Sequence, residues 1–223
     1  KSFTENYLQS DINLIKNALK SMGYYFVKVK PTIITDEELN TSRIVIDIDQ
    51  GPRAKIKKIS FIGDKQIKDK KLLEIIASEE HKFWKFISRN VYLDQLRLNL
   101  DKRLLENYYK NLGYYDVNVL NTYAELDKKG NFNLTYNINA GEFYYFNDLN
   151  LNLPENYNIK DFEKIVSKFP KLKGEKFSID DFNRILFDIE NVATSRLYDF
   201  INAEVVEEVI DNNKLNFTFN VSD

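Results

Sequence analysis

The chain of 223 residues contains no cysteine and only one histidine, one methionine and one tryptophan. The absence of cysteine excludes disulfides and thiolate metal sites. His81 has neither a second histidine nor a cysteine to join it, so we interpret it as a surface residue and not as part of a zinc site or a catalytic triad. A glycine-rich phosphate loop and the HExxH and GxSxG signatures are missing as well. We therefore predict a protein that is not an enzyme and that needs no metal and no cofactor.

Long hydrophobic runs and a strong charge imbalance are also missing. No apolar run approaches the ~20 residues of a membrane-spanning helix, and no signal peptide is present. Because the sequence begins with Lys1, we expect a processed or excised piece, and the missing signal does not indicate the cytoplasm. The formal net charge of −2 argues against a nucleic-acid-binding surface. One basic run, at residues 53–71, indicates a solvated strand face and helix start, with an acidic partner or lipid headgroups as the alternative.

What the chain does contain is a repeat. Residues 19–29 return ninety residues later as residues 109–119, with Lys, Gly, Tyr, Tyr, Val and Val at the same places. A second landmark, the glycine at 51 and again at 141, shows the same shift. Two unrelated patterns that agree on one shift indicate a tandem array.

The glycine inside each copy, Gly23 or Gly113, is predicted to end a helix in the left-handed conformation that glycine adopts without penalty. In a third and weaker copy Leu197 stands in the place of the glycine. There we expect the helix to end differently, since a leucine in that conformation would be strained. The strands that follow the three helix ends are predicted at residues 24–34, 114–125 and 198–209.

Hydrophobic periodicity predicts the order β-α-α-β-β for each complete unit. We expect a partial repeat at residues 1–50, with one helix and two strands, and complete repeats at residues 51–140 and 141–223. The first helix of each complete repeat is predicted at residues 69–78 and 160–169. The predicted fold class is α+β, in which each complete repeat is a three-stranded mixed sheet with two helices on one face.

The motifs together resemble a known family. The junction from Gly51 to Gly63 reads Gly-Pro-x-x-x-Ile-x-x-Ile-x-Phe-x-Gly, and with the helix–Gly–Tyr landmark and the β-α-α-β-β order it is similar to polypeptide-transport-associated (POTRA) domains. The similarity is greatest to the periplasmic arm of BamA-type outer-membrane assembly factors. Residues 91–114 and the aromatic connection near residue 84 resemble the third domain of that arm, and residues 174–177 resemble a motif of the next domain. This resemblance places the chain from the end of the second domain through the third and fourth.

The resemblance implies a periplasmic scaffold in a Gram-negative cell. This scaffold is part of an outer-membrane protein, and that protein inserts β-barrel proteins into the membrane. The implied partners are accessory outer-membrane assembly lipoproteins, unfolded β-barrel precursors and the arm's own C-terminal membrane barrel, which is not in this chain; nucleic acid is not among them. An extended client would add a strand to an exposed sheet edge, which offers unpaired N–H and C=O groups (β-augmentation). The resemblance assigns that edge to the strand after the landmark glycine. The candidate binding residues are Tyr115, Asp116, Val117, Asn118, Val119, Tyr25, Val27, Phe200 and Asn202.

Two further sites and two alternative functions complete the predictions. Gly51, Pro52 and Gly141 are candidate inter-domain hinges, because a third strand runs there almost directly into the next first strand. Phe83, Trp84 and Phe86 form a possible docking patch, although aromatic residues in a connection between helices more often pack into a core or against a neighbouring domain. One alternative is the POTRA arm of a related secretion or autotransporter-translocation transporter. The other, a KH-like nucleic-acid-binding module, lacks its GxxG loop here.

Overall fold

The computed structural model describes residues 5–36, 41–84, 88–199, 202–211 and 213–222. The middle repeat has the predicted order β-α-α-β-β. The elements are, in order, α1 (Glu5–Ser21), β1 (Lys28–Asp36), β2 (Thr41–Asp49), β3 (Ile56–Asp64), α2 (Asp69–Ile75), α3 (Gln95–Asn111), β4 (Asn118–Leu126), β5 (Phe132–Asn139), β6 (Tyr145–Asn152), a 3-10 helix (Ile159–Phe162), α4 (Glu163–Val166), α5 (Phe169–Leu172), α6 (Ile179–Ser195), β7 (Asn202–Ile210) and β8 (Lys214–Ser222).

The strands form three sheets, and the last strand of each complete repeat is the central one. The first sheet is the antiparallel pair β1–β2, and the other two have the orders β3-β5-β4 and β6-β8-β7. In the last sheet β6 runs parallel to β8 and β7 runs antiparallel to it. The predicted mixed three-stranded sheets with helices are therefore confirmed.

The central strands supply the core, because alternate side chains point to opposite faces of a sheet. The alternation predicted for β5 is confirmed, since its inward side chains are almost wholly buried. These are Phe132, Leu134, Tyr136 and Ile138, and β8 repeats the pattern with Leu215, Phe217, Phe219 and Val221. In the last repeat the buried side chains of β8 pack with Ile185 and Ile189 of α6 in one hydrophobic cluster.

The chain divides into two compact units. One consists of Lys1–Leu104 and Val119–Ile138, and the other of Leu105–Asn118 and Asn139–Asp223. The repeat boundaries near residues 50 and 140 follow the sequence landmarks and stay a prediction. Among the residues that the structure describes, no helix is long and apolar enough to cross a membrane.

The strands after the landmark glycines begin later than predicted. The N–H of Val27 donates to the carbonyl of Tyr24 at 3.3 Å, and the N–H of Val117 donates to that of Tyr114 at 3.4 Å. Each bond closes a four-residue turn, which the chain uses to change direction between the helix end and the strand. The predicted strand starts at residues 24 and 114 are therefore wrong, and β1 and β4 begin four residues further on.

All three repeats end their long helix in the same way. Gly23 and Gly113 have φ of +95° and +105°, and Leu197 has φ of +58°. In each case the next residue, a tyrosine, donates its N–H to the carbonyl five residues earlier, at 3.0, 3.1 and 3.0 Å. This bond is typical of a helix that closes through a left-handed residue. The expectation that the helix ends differently at Leu197 is wrong, because the leucine adopts the conformation that favours glycine.

We predict that Leu197→Gly raises the free energy of unfolding by about 0.5–1 kcal/mol. The substitution relieves the left-handed strain of the leucine, and this gain is larger than the entropic cost of glycine in the unfolded chain. The Leu197 side chain is 91% exposed, so its removal loses little buried area. Urea unfolding measures the change. Ser195→Gly, two residues earlier and inside α6, is the matched control and should lower stability by about the same amount. A loss of stability in both variants would contradict the prediction.

The first helix of the last repeat is broken, whereas a single helix was predicted at residues 160–169. A 3-10 helix, α4 and α5 occupy the region, and Pro170 lies in the first turn of α5. Proline has no N–H, and its ring would collide with the carbonyl of residue 166 if the helix continued. The sequence therefore contained the reason for the break one residue beyond the predicted helix end. In the middle repeat α2 is also shorter than predicted and ends at Ile75.

Candidate functional site

One outer edge of each three-stranded sheet is bonded at its start to a connecting segment. At β3 the N–H of Ile56 donates to the carbonyl of Val91, and the N–H of His81 donates to the carbonyl of Ile56, both at 2.7 Å. At β6 the N–H of Phe146 donates to the carbonyl of Glu175 at 2.9 Å, and Gly174 donates back to Phe146 at 2.8 Å. The helix connections thus occupy the backbone groups at the start of the first strands.

The opposite edges, β4 and β7, are the open ones. In the described part of the chain β4 pairs only with β5, and β7 pairs only with β8. No side chain of β7 is fully buried, and β4 buries only that of Val119. A strand with one neighbour presents a row of backbone N–H and C=O groups that another extended chain can pair with.

The predicted binding residues lie partly in these edges. Asn118 and Val119 begin β4, and Asn202 begins β7. Phe200 lies outside the described residues, and so does Phe86 of the predicted docking patch. The remaining candidates precede the strands and lie in the turns after the landmark glycines; they are Tyr25, Val27, Tyr115, Asp116 and Val117. Their part in binding stays a prediction.

Tyr115 and Asp116 are engaged in packing within the second unit. The ring of Tyr115 lies 5.4 Å from that of Tyr144 and 4.9 Å, edge-on, from that of Phe177. Burial, together with a hydrogen bond to Glu207 of β7, raises the pKa of the Tyr115 hydroxyl. The Tyr144 hydroxyl in turn donates to the carboxylate of Asp116. These two side chains are thus committed to contacts within the protein.

The first unit has the corresponding arrangement around Tyr25 and Arg53. The ring of Tyr25 meets that of Phe132 edge-on at 4.8 Å. The Arg53 guanidinium donates to the carbonyl of Met22 from Nε and Nη2, at 3.1 and 2.7 Å, and lies 4.1 Å from the ring centre of Tyr92. This use of Arg53 was missed in the sequence, where it counted only as part of a basic run.

The candidate hinges lie beside bonds that fasten the connections. Gly51 and Gly141 have φ of +63° and +72°, which favours glycine. Just after Pro52, the N–H of Ala54 donates to the carbonyl of Gly23 at 2.9 Å, and the N–H of Tyr144 donates to that of Gly113 at 2.8 Å. The two bonds are equivalent, because donor and acceptor of the second each lie ninety residues after those of the first. A hinge motion at either connection would have to break its bond, and the hinges stay a prediction.

Phe83 and Trp84 lie at the surface. Their exposed fractions are 83% and 59%, and their rings meet edge-on at 4.5 Å. The expectation that aromatic residues of this connection pack into a core is therefore wrong for Phe83 and Trp84, and packing against a neighbouring domain stays a prediction. Nearby, burial and then the charge of Lys55 lower the pKa of His81, whose Nε2 lies 2.9 Å from the Lys55 ammonium. No group of His, Asp and Glu side chains within the described ranges is placed to hold a metal ion.

Three comparisons with known proteins agree with this architecture. The sequence profile of the POTRA family, described as the surface antigen variable number repeat, matches residues 1–51 and 54–141. The outer membrane protein assembly factor BamA of Buchnera aphidicola is 27% identical over 226 residues, which cover 99% of this chain and 35% of that protein. The BamA of Neisseria meningitidis serogroup B is 27% identical over 120 residues, which cover 54% of this chain and 15% of that protein. The chain thus spans about a third or less of these relatives.

Solved structures show the same fold. The crystal structure of Haemophilus influenzae BamA POTRA3-5 superposes with a TM-score of 0.59 at 13% identity and covers 100% of this chain and 83% of that one. BamA from Haemophilus ducreyi lacking POTRA domains 1-3 superposes with a TM-score of 0.56 at 12% identity and covers 76% of this chain and 29% of that one. At these identities the likeness shows the fold alone.

Proposed function

The chain belongs to the POTRA family, and we propose that it is part of the periplasmic arm of a BamA-type outer-membrane β-barrel assembly factor. In this proposal the arm is a scaffold without catalytic activity. It binds unfolded barrel precursors and accessory assembly lipoproteins and acts together with a C-terminal membrane barrel of the same protein. The relatives named as assembly factors support this assignment.

The observation that carries the proposal is the difference between the two edges of each sheet. The start of β3, at Ile56, and of β6, at Phe146, is bonded to a connecting segment, whereas β4 and β7 each pair with a single strand in the described ranges. Natural sheets usually blunt exposed edges because these invite pairing with other chains. Two edges left open at equivalent places in two repeats are suited to reversible addition of an extended peptide.

The side chains favour β4 as the client-binding edge. Leu120, Tyr123 and Leu126 of β4 are exposed and offer apolar contacts to the alternating side chains of a barrel strand. On β7 the exposed apolar side chains Val206 and Val209 are accompanied by three exposed glutamates, at 204, 207 and 208, whereas β4 exposes only Glu125. The denser negative charge on β7 disfavours an apolar partner. We therefore propose Asn118–Leu126 as the main binding strand, in place of the residues of the preceding turn.

The position along the arm is a further part of the proposal. The sequence motifs place the chain from the end of the second domain through the fourth, whereas the two solved structures include POTRA domains 3-5 or lack domains 1-3. All repeats share one fold, so a superposition tolerates a shift by one repeat. We retain the placement derived from the motifs.

Peptide binding to β4 is tested with two adjacent proline substitutions, Leu120→Pro and Asn121→Pro. Successive N–H groups of an edge strand point alternately to the neighbouring strand and outward, so the two prolines remove different bonds. The variant whose proline removes an outward-pointing N–H should fold, change stability by less than about 1 kcal/mol and weaken peptide binding at least about tenfold. The other should lose roughly 2–3 kcal/mol because it breaks the ladder with β5. Circular dichroism and NMR titration with an extended strand peptide from an outer-membrane barrel protein measure both quantities.

The equivalent pair in β7, Glu204→Pro and Val205→Pro at the third and fourth residues of that strand, is the matched control. These variants should leave the peptide-induced NMR shifts of β4 unchanged. If the folded β4 variant bound the peptide as tightly as the unaltered chain, β4 would not be the binding edge. If shifts appeared only on β7, the assignment of the client edge would pass to Asn202–Ile210.

A further inference from the structure

The pairing register of β7 with β8 assigns each side chain of β7 to one face of the last sheet. Ala203 and Val205 lie opposite buried side chains of β8 and belong to the helix side, where they pack against the core. Glu204, Val206 and Glu208 lie opposite polar side chains of β8 and belong to the outer side. All three are exposed. The open edge therefore carries the order acidic, apolar, acidic on the face away from the helices.

The surroundings of the two outer glutamates are neutral. The side chains directly opposite Glu204, Val206 and Glu208 on β8 carry no charge, and they are Asn220, Thr218 and Asn216. The amide of Asn216 donates from Nδ2 to Oε2 of Glu208 at 3.0 Å, which holds that carboxylate on the outer face. Within the described ranges neither Glu204 nor Glu208 forms an ion pair. Both carboxylates are thus placed at the edge without a counter-charge.

The other charged groups of the hairpin do not change this picture. Lys214 is the single basic residue of residues 202–222 and lies opposite Ile210, at the far end of the strand. Glu207 lies on the helix side, and its carboxylate is hydrogen-bonded to the hydroxyl of Tyr115. Asp211 follows the strand in the turn. Glu204 and Glu208 are therefore the negative charges that a strand added to the outer face of β7 would meet.

We propose that the β7 edge binds an extended segment of a protein partner with a basic, an apolar and a basic residue at alternate positions, the pattern Lys-x-Val-x-Lys. Strand addition places side chains of the two strands about 5 Å apart on the same face. The basic residues then face Glu204 and Glu208, and the apolar one faces Val206. Backbone groups of β7 supply the hydrogen bonds. The pattern reads the same in both directions, so it fits a parallel and an antiparallel strand.

Charge complementarity selects this partner over the apolar strand proposed for β4. An apolar strand on β7 would bring both outer carboxylates beside apolar groups without pairing them, whereas a basic strand places an opposite charge directly across from each. The inference goes beyond the proposed client edge and uses other residues. Each of the two can therefore fail without the other.

An NMR titration of the complete chain of 223 residues tests the proposal. The probe is the end-capped peptide Thr-Thr-Lys-Thr-Val-Thr-Lys-Thr-Thr, and we expect shifts concentrated on Asn202–Ile210 with a Kd below about 1 mM. Raising the salt from about 0.05 to about 0.5 M should weaken binding, because exposed charges are screened. The comparison peptide Thr-Thr-Lys-Thr-Lys-Thr-Val-Thr-Thr has the same composition but can place only one lysine opposite a glutamate. It should bind about threefold more weakly.

Variants of the chain locate the contact. Glu204→Gln and Glu208→Gln, combined in one chain, should weaken binding of the first peptide about fivefold, the loss expected for two cross-strand charge pairs. Glu207→Gln is the matched control, because this residue lies on the same strand but faces the helix side. It removes the same kind of charge and should change binding by less than about twofold. All three glutamates are exposed, so the variants should remain folded, which circular dichroism checks.

Other outcomes overturn the proposal. Absence of shifts on Asn202–Ile210 at millimolar peptide would leave the glutamates as charges that keep the edge from pairing. Equal binding of the two peptides, or equal losses for Glu207→Gln and the double variant, would show that net charge alone attracts the peptide. Shifts on Asn118–Leu126 instead would remove the selectivity between the two edges. If the lysine peptide bound β7 as expected while a barrel-strand peptide failed to bind β4, only the proposed client edge would fall.

Discussion

Gly63→Ala lowers the free energy of unfolding by about 3 kcal/mol, because the site lacks both the backbone conformation and the space for a side chain. Gly63 has φ of +87° at the end of β3. A Cβ atom there would fall on the carbonyl oxygen of Ile138 and 2.5 Å from Oδ1 of Asn137. The first of these is backbone of the central strand, which cannot move aside without disturbing the sheet.

Gly130→Ala separates the effect of the backbone conformation from the effect of the missing space. Gly130 has a similar φ of +79°, but an added Cβ atom would meet nothing within 4 Å. Its substitution should cost only the left-handed strain, about 1–2 kcal/mol. Urea unfolding of both variants gives the difference, which is the contribution of the close approach between β3 and β5. Equal losses at the two glycines would show that the contact with Ile138 contributes nothing.

Asp101→Ala should lower the free energy of unfolding by about 3–5 kcal/mol, since it leaves several buried polar groups without a partner. Asp101 is fully buried on α3. Its Oδ1 accepts hydrogen bonds from the backbone N–H groups of Ala77 and Ser78 at 2.6 and 3.1 Å, and its Oδ2 accepts one from the hydroxyl of Tyr136. Burial, and then the charge of Asp101, raise the pKa of Tyr136. The carboxylate thus joins α3, the end of α2 and the central strand.

Tyr136→Phe is the matched control, because it removes one donor and leaves Asp101 bonded to the two N–H groups. It should cost about 1.5 kcal/mol. In the last repeat apolar residues replace this hydrogen-bonded pair. Asp101 is the seventh residue of α3, the seventh residue of α6 is Ile185, and the strand position equivalent to Tyr136 is Phe219. Chemical denaturation measures both variants. If Asp101→Ala cost no more than Tyr136→Phe, the bonds to the backbone of residues 77 and 78 would be unimportant.

Periodicity predicted the core better than it predicted the binding edge. The inward positions of β5 were recognised because a polar residue at any of them would be unsatisfied in the core. Val117 was assigned to the edge strand by the same alternation, yet it closes a turn with Tyr114. Alternation did not separate the strand from the turn that leads into it, because Val117 at the end of the turn and Val119 in the strand are both buried and continue the same spacing. Exposure of Trp84 could not be predicted either, since a single aromatic connection fits a core as well as a surface.

The sequence by itself determined the tandem repeat, the order of helices and strands and the helix ends at Gly23 and Gly113. These depend on local chemistry, namely hydrophobic spacing and the left-handed freedom of glycine. The resemblance already assigned the exposed edge to the strand after the landmark glycine, but only the tertiary structure showed how the opposite edge is bonded. The connections at Val91 and Glu175 bond the starts of β3 and β6 through backbone groups, which every residue can supply except for the N–H that proline lacks, and which leave no pattern in the sequence. The tertiary structure also decided the conformation of Leu197, where the surrounding helix and strand impose a geometry that the residue itself disfavours.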